Sequence, residues 1–487
     1  MNRYVPLVFA GLMLLPIHIG MAQGVHSDSG SALPELGDIS ASTLSPQMER
    51  RIGEEAMREI RADPSYADDP EVDEYLNRLG SLLASSGVGA RQDFEFFLMK
   101  DATINAFALP GGFVGVHAGL IVASQTESEL ASVLAHEISH VTQRHIARMF
   151  GKQSQLSTIS LAGIILGILS ARSNSQVGQA ALVASQAGAI QAQLNYTRDY
   201  EREADRVGFD RLQQAGFDTG GMVSFFERLQ KANRIYENTA PAYLQTHPLT
   251  GERIADIQNR AQSLAYRQHV DGVDFQLVRA KIRAEQGTPR EAVTYFEGQL
   301  REGRFSNESG ARYGLVSALV RSREFSRAGN EMKGLRAIAN GQPLVDMLEL
   351  RLKTSAGDIR GALMIAREAL KRHSNYRPLQ YVSVRTLQVL GLHQEALAQV
   401  GDLIKLFSRD ARLYRMQAES YAAIGKGLLQ HQAQAESYFL HGALPAAIEQ
   451  LQLAQKAGDG DFYQLSAVEA RLREFRARNA EEMRIRQ

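Results

Sequence analysis

The stretch Leu130–Met149, LASVLAHEISHVTQRHIARM, carries His136-Glu137-Ile138-Ser139-His140 inside an apolar helical pattern. Leu130, Val133, Leu134, Ile138 and Val141 recur at the spacing of one helix face, with no Pro or Gly to interrupt the run. Ser128 and Glu129 place the helix start near Thr126 or Ser128. Residues four apart on a helix share a face, roughly 5–6 Å apart, so the imidazoles of His136 and His140 can reach one metal ion. The motif is H-E-x-x-H, and Glu137, beside the first imidazole, is placed to take a proton from an attacking water. On a continued helix His145 turns away from the ligand face, so it is expected to be exposed.

Two histidines leave a zinc site incomplete. Gln143 and Ile146 stand where a metzincin would have Gly and His. A second predicted helix, through Tyr200-Glu201-Arg202-Glu203-Ala204-Asp205, offers Glu201 and Asp205 on one face. One of them can bind the metal while the other accepts the free N–H of a ligand histidine. Spacing alone does not say which. Glu203 projects elsewhere and is expected to be solvated.

The rest of the chain sets this helix in context. Its 487 residues allow two or three domains, and 54 basic against 54 acidic side chains give no attraction to nucleic acid or to an anionic membrane. With no cysteine, disulfides, a thiolate zinc site, a cysteine nucleophile and a lipidated N-terminal cysteine are excluded. Arg3, an apolar run over Val5–Ile19 and the small residues around Gly20-Met21-Ala22 read as a secretory signal peptide over 1–22. After its removal no stable transmembrane segment is expected, and the Ser- and Gly-rich 24–42 reads as a flexible leader. Between Gln153 and Thr197 the one charged residue is Arg172, which predicts a core helix or a cover over the cleft rather than a membrane hairpin.

Helices are expected over Ser45–Arg61, Pro70–Ala84, Thr219–Glu237 and Gly251–Tyr266, with the Glu201 helix ending near Gly216. Strands are expected at Phe94–Met99, Asn105–Leu109 and Phe113–His117, the last two joined by a turn at Pro110-Gly111-Gly112. His247 precedes Pro248, which places it in an extended or turn conformation. From about Val273 onward the chain reads as helices with a period of 34: Gly357 and Gly391, and Ala328, Ala362 and Ala396. The unit G-x-x-x-x-A recurs at Gly287/Ala292, Gly357/Ala362, Gly391/Ala396 and Gly442/Ala447, with Arg323 replacing glycine before Ala328. Such a period fits tetratricopeptide-type helix pairs, whose stacked concave face binds peptides or proteins. The match at Gly425, with Gln430 in place of alanine, is left out, and the 51 residues from Ala396 to Ala447 break the period.

H-E-x-x-H followed some sixty residues later by E-x-x-x-D resembles the gluzincin peptidases of the HtpX and CAAX-prenyl-protease type, over about Ser45 to Gln262. The resemblance implies a mainly α fold with a small β-sheet: a gluzincin metallopeptidase domain over 43–268, then an α-helical tetratricopeptide-repeat solenoid over 273–487. It implies one Zn²⁺ per chain on His136, His140 and Glu201, with Glu137 as general base and Asp205 supporting a ligand histidine. N-A-F-A-x-P-G-G, here Asn105, Ala106, Phe107 and Ala108 before Pro110-Gly111-Gly112, resembles the edge strand on which these enzymes hold substrate, though it can equally be ordinary sheet. The H-P pattern with an arginine five residues after the proline is met by His247, Pro248 and Arg253. By the resemblance His247 is a switch that can become a fourth metal ligand; contact with substrate or the developing oxyanion is the alternative.

The periplasmic, repeat-bearing branch of the family implies the function: an endopeptidase that degrades misfolded or stalled outer-membrane β-barrel proteins and assists their assembly. Its expected partners are such clients and the β-barrel assembly machinery, and its expected place is the periplasm, peripheral at the outer membrane. A chaperone or assembly scaffold that acts through its repeats, with a latent or structural zinc site, is the rival reading.

Overall fold

A computed structural model describes residues 44–87, 92–150, 198–235, 241–265 and 267–486. The expected signal peptide and leader and the uncharged 153–197 segment lie outside the described residues. Among the described residues no helix is long and apolar enough to cross a membrane.

The N-terminal half begins with α1 (Pro46–Ala62), capped by the Ser45 hydroxyl, then β1 (Tyr66–Ala67) and α2 (Pro70–Ser85), capped by the Asp69 carboxylate. Both helices carry proline in the first turn, where its missing N–H costs nothing. β2 (Glu95–Met99), β3 (Ala106–Leu109) and β4 (Phe113–His117) follow and form, with β1, one sheet of order β1-β2-β4-β3. β2 and β4 are parallel, and β3 folds back antiparallel on β4. Their hairpin turns at Gly111 and Gly112, with φ of 77° and 93°, in a region closed to most side chains. Two apolar layers cover the sheet: Phe97, Phe107 and Phe113 meet Ile52 and Met57 of α1, while Phe96, Val114 and Val116 join the main core.

Next come α3 (Ala118–Ala123), α4 (Glu127–Thr142), α5 (His145–Phe150), α6 (Arg198–Gln214), α7 (Gly220–Ile235), α8 (Ala242–Thr246) and α9 (Gly251–Gln262). The H-E-x-x-H helix does not run on to Met149. It stops at Thr142, and Arg144 takes a left-handed φ of 53° before α5 starts. The last helix of this half also ends early, at Gln262 rather than Tyr266.

The remaining helices are α10 (Val273–Glu285), α11 (Pro289–Glu302), α12 (Glu308–Arg321), α13 (Phe325–Ile338), α14 (Pro343–Ser355), α15 (Ile359–Arg372), α16 (Arg377–Val389), α17 (His393–Leu406), α18 (Ala411–Ala423), α19 (Gly427–Leu440), α20 (Leu444–Lys456) and α21 (Phe462–Arg486). They form tetratricopeptide-like hairpins with one recurrent device: a left-handed residue at Gly287, Arg323, Gly357, Gly391 and Gly425, with φ between 60° and 85°, turns each first helix into its second. Ala292, Ala328, Ala362 and Ala396, a turn further on, are buried where the helices cross. Gly425, set aside in the sequence because of Gln430, is therefore a regular member, and it divides the 51-residue interval. Gly442, with φ 77°, then turns α19 directly into α20, half a period later.

The repeats do not stand apart from the N-terminal half. One apolar cluster runs from Leu76 and Phe225 through Phe275 and Val278 to Leu315 and Leu348. Lys281 on α10, 2% exposed, reaches across to Asp69 at 2.6 Å and Glu71 at 3.2 Å. Arg351 on α14 takes the same Glu71 at 2.5 Å, and Arg412 on α18 pairs with Asp68. Each buried Leu, Val or Phe is worth roughly 1.5–3 kcal/mol against exposure, whereas exposed ion pairs such as Lys371–Glu368 are screened by water, so the apolar rows hold the stack.

Candidate metal centre

α4 is the axis of the N-terminal half. The Thr126 hydroxyl accepts the Glu129 N–H at its start, and every residue from Glu127 to Val141 is buried. A helix buried on all sides with His-Glu-x-x-His inside it puts those polar groups in a dry interior, where they need partners. α6 supplies them because Gly208 lets it approach closely; a Cβ there would lie 3.1 Å from the His136 backbone nitrogen.

Four donors converge. His136 Nε2 lies 2.9 Å from His140 Nε2, 3.3 Å from His247 Nδ1 and 3.6 Å from Glu201 Oε2. Glu201 Oε1 is 3.4 Å from His140 Nε2 and 3.0 Å from His247 Nδ1. One ligand atom from each of the four residues falls within 4.8 Å of the others, and all four residues are buried. Ligands at about 2.0–2.1 Å in a tetrahedron are themselves roughly 3.3 Å apart, so the set fits a zinc-sized ion. Three imidazoles favour zinc or a neighbouring transition metal over calcium or magnesium.

The surrounding charges are arranged in pairs. Arg253, 3% exposed at the start of α9, grips Asp205 with Nε at 2.6 Å and Nη2 at 2.7 Å. Its Nη1 reaches Glu201 Oε2 at 2.8 Å and the Pro248 carbonyl at 2.7 Å. Burial opposes the charge on Glu201, but His247 and Arg253 outweigh it and hold the carboxyl well below its ordinary range. Asp205 is held down in the same way, burial being overcome by Arg253. Asp205 Oδ1 is 3.0 Å from His136 Nδ1, a contact good in distance though off the ideal N–H line. Desolvation lowers His136 to about 4, so its imidazole is neutral.

Glu137 differs from its neighbours. It is fully buried, and neither of its oxygens makes a hydrogen bond of ordinary geometry among the described residues. Desolvation raises its pKa to about 7, with smaller opposing contributions from His140, the Tyr243 hydroxyl and the Ala108 N–H. His247 Nε2 stands 3.5 Å from Glu137 Oε1, so one ring faces both the metal donors and this carboxylate.

β3 is an edge strand and lies along α4. The Asn105 carbonyl accepts the His117 N–H, so by antiparallel alternation Ala106 and Ala108 turn their N–H and C=O outward. The side-chain oxygen Asn105 Oδ1 is buried without a partner among the described residues.

Two expectations need correction. His145 is fully buried, because the break at Gln143–Arg144 ends the helical phase from which exposure was inferred. Its Nδ1 lies 2.8 Å from His140 Nδ1 and its Nε2 3.2 Å from Glu203 Oε2. Glu203 is accordingly only about a third exposed, at 35%, and also holds Arg148 at 2.9 Å. Tyr243 carried no signal in the sequence. It stacks on His247 at 4.6 Å between ring centres, and its N–H bonds the Ile104 carbonyl just before β3. It sits one helical turn before His247, a spacing that could have drawn attention to it.

A buried donor tetrad on an H-E-x-x-H helix, with a carboxylate beside it and an edge strand of the described sheet alongside, defines a metallopeptidase. Residues 67–261 match the profile of Peptidase family M48. The β-barrel assembly-enhancing protease of Escherichia coli (strain K12) is 31% identical over 472 residues, 95% of each chain. That of Yersinia pestis is 33% identical over 425 residues, 85% of this chain and 86% of the relative. The mitochondrial metalloendopeptidase OMA1 of Schizosaccharomyces pombe is 31% identical over 222 residues, 44% of this chain and 61% of that one. The chain belongs to the β-barrel assembly-enhancing protease family and is an M48 metallopeptidase.

Proposed function

We propose that the protein is a zinc-dependent endopeptidase of the bacterial periplasm that degrades misfolded or stalled outer-membrane β-barrel proteins and assists their assembly. The observation that carries the catalytic part is the convergence of His136, His140, Glu201 and His247 beside the buried Glu137. One Zn²⁺ per chain would be held by the first three, and when bound it supplies Lewis-acid polarisation of the scissile carbonyl and the attacking water. Glu137, raised toward neutrality, takes the water's proton and passes it to the leaving amine. Asp205 orients His136. Asn105, Ala106, Phe107 and Ala108 receive an extended client by strand addition, the outward groups of Ala106 and Ala108 bonding its main chain. Residues 43–268 carry the chemistry and 273–487 recruit clients and the assembly machinery. The relatives' names support the link to β-barrel assembly, and the signal-peptide pattern over 1–22 supports the periplasm.

His247 favours an added reading. Four protein donors make a closed site, as in structural zinc centres, whereas catalysis needs an open position. In this reading the described arrangement is the restrained state, with His247 in the fourth position and against Glu137. That is the feature the scaffold alternative also draws on, and activity separates them. The test is metal analysis and casein cleavage by the purified mature protein, with Glu201→Ala alongside. We expect zinc near one per chain and chelator-sensitive cleavage, with both lost in the variant; zinc without cleavage under any condition would leave the scaffold reading.

A further inference from the structure

We propose that His145 is a positioning residue that fixes the tautomer of His140, through a relay from Glu203 to His145 to His140. The inference rests on the zinc reading above only for its affinity arm. It begins from Glu203, which sits on α6 and is held by Arg148 at 2.9 Å. An ionised carboxylate can only accept, so the 3.2 Å contact requires His145 Nε2 to carry the proton. A neutral imidazole has one N–H, which leaves His145 Nδ1 as an acceptor. The atom facing it at 2.8 Å is His140 Nδ1, which must therefore be the donor. The His140 proton is then fixed on Nδ1, and the lone pair of Nε2 points at His136 Nε2 and Glu201.

The ring is held to that task by its neighbours. Tyr200 stacks on His145 at 4.7 Å with planes 17° apart, and the Arg148 guanidinium lies over the Tyr200 ring at 4.8 Å. The left-handed Arg144 brings His145 back toward His140, and the Arg144 guanidinium is anchored on Glu49 at 3.2 Å and on the Leu44 carbonyl. His136 is served differently, with the Asp205 carboxylate directly against it. A carboxylate transfers more electron density to an imidazole than a neutral imidazole does, so His140 is the softer-held of the two ligands.

The test compares His145→Phe, which keeps a ring for Tyr200 but has no acceptor, with His145→Asn, whose side-chain oxygen can take the place of Nδ1. Zinc affinity by chelator competition should fall about 10- to 100-fold in His145→Phe and return most of the way in His145→Asn. Nitrogen-15 spectra of histidine-labelled protein, with and without zinc, should show His140 protonated on Nδ1 in the parent and lose that preference in His145→Phe. An unfolding midpoint for each variant separates this from general loosening. Unchanged zinc affinity in a folded His145→Phe, an Asn variant as weak as the Phe one, or a parent His140 protonated on Nε2 would each overturn the relay. A parent that binds no zinc would reject the metal reading instead, and the metal-free spectra would still decide the tautomer.

Discussion

Around His136 the structure buries Glu137, His140, Glu201, Asp205, His247 and Arg253, all charged or titratable and, Glu137 apart, locked to one another. Through the repeats the buried positions are instead Ala328, Ala362, Ala396, Leu348 and Leu379, and most charges stay at the rim. The first region is specified by directed contacts, few of which can be exchanged. The second is specified by shape repeated along the chain, where one position resembles the next. Substitutions at buried positions should therefore change chemistry in the first region and only stability in the second.

The largest effect should come from Glu137→Gln. The side chain keeps its volume and loses its basicity, so zinc content and the unfolding midpoint should match the parent while casein turnover falls about 10²- to 10⁴-fold. Parent-like turnover would break the assignment of the base.

Where the two regions meet, one charge belongs to both. Lys281→Ala would leave Asp69 and Glu71 facing a buried void with only Arg351 to answer Glu71. Loss of one partner from a buried pair costs about 3–5 kcal/mol, and the remaining arginine places this case near 3 kcal/mol. Denaturant unfolding measures it. A change within about 0.5 kcal/mol would mean that the charge network contributes little to the junction.

The smallest effect should be a gain. Arg323 occupies the left-handed turn position that glycine fills in the hairpins at Gly287, Gly357, Gly391 and Gly425. Arg323→Gly removes a conformational cost of about 1 kcal/mol, partly offset by the freer unfolded chain, so the midpoint should rise slightly and activity should not move. A lower midpoint would show that the Arg323 side chain contributes contacts that outweigh its strain.

The same contrast explains what could be read from the residues. His136 and His140 are four apart on one helix, and Thr126 caps the first turn of that helix, so local rules suffice for them. The repeat period is equally local. His145 defeated the reading because one residue, Arg144, leaves the helical region and resets the phase. At Gly425 the alanine that marks the repeat is replaced by Gln430, although the backbone needs only the left-handed turn there, and the extra half-step at Gly442 hides the period further. Arg253 was noticed as part of a pattern, but its grip on Asp205 joins residues 48 apart and has no periodic trace. The shared core of Phe275, Leu76 and Leu315 is invisible for the same reason: composition changes near residue 273 while packing does not.

The central claim is that this centre is closed by His247 and works when that residue leaves. His247 is held by contacts to Glu201 and His136 and by stacking on Tyr243, while Arg253 secures the next carbonyl. The most direct measurement is casein cleavage and zinc content of His247→Ala beside the parent, at equal protein concentration. A restraining ligand removed predicts cleavage, including of the protein's own chain, several-fold faster, with zinc retained on His136, His140 and Glu201. Slower turnover at unchanged zinc would contradict the restraint and assign His247 to the substrate or the developing oxyanion.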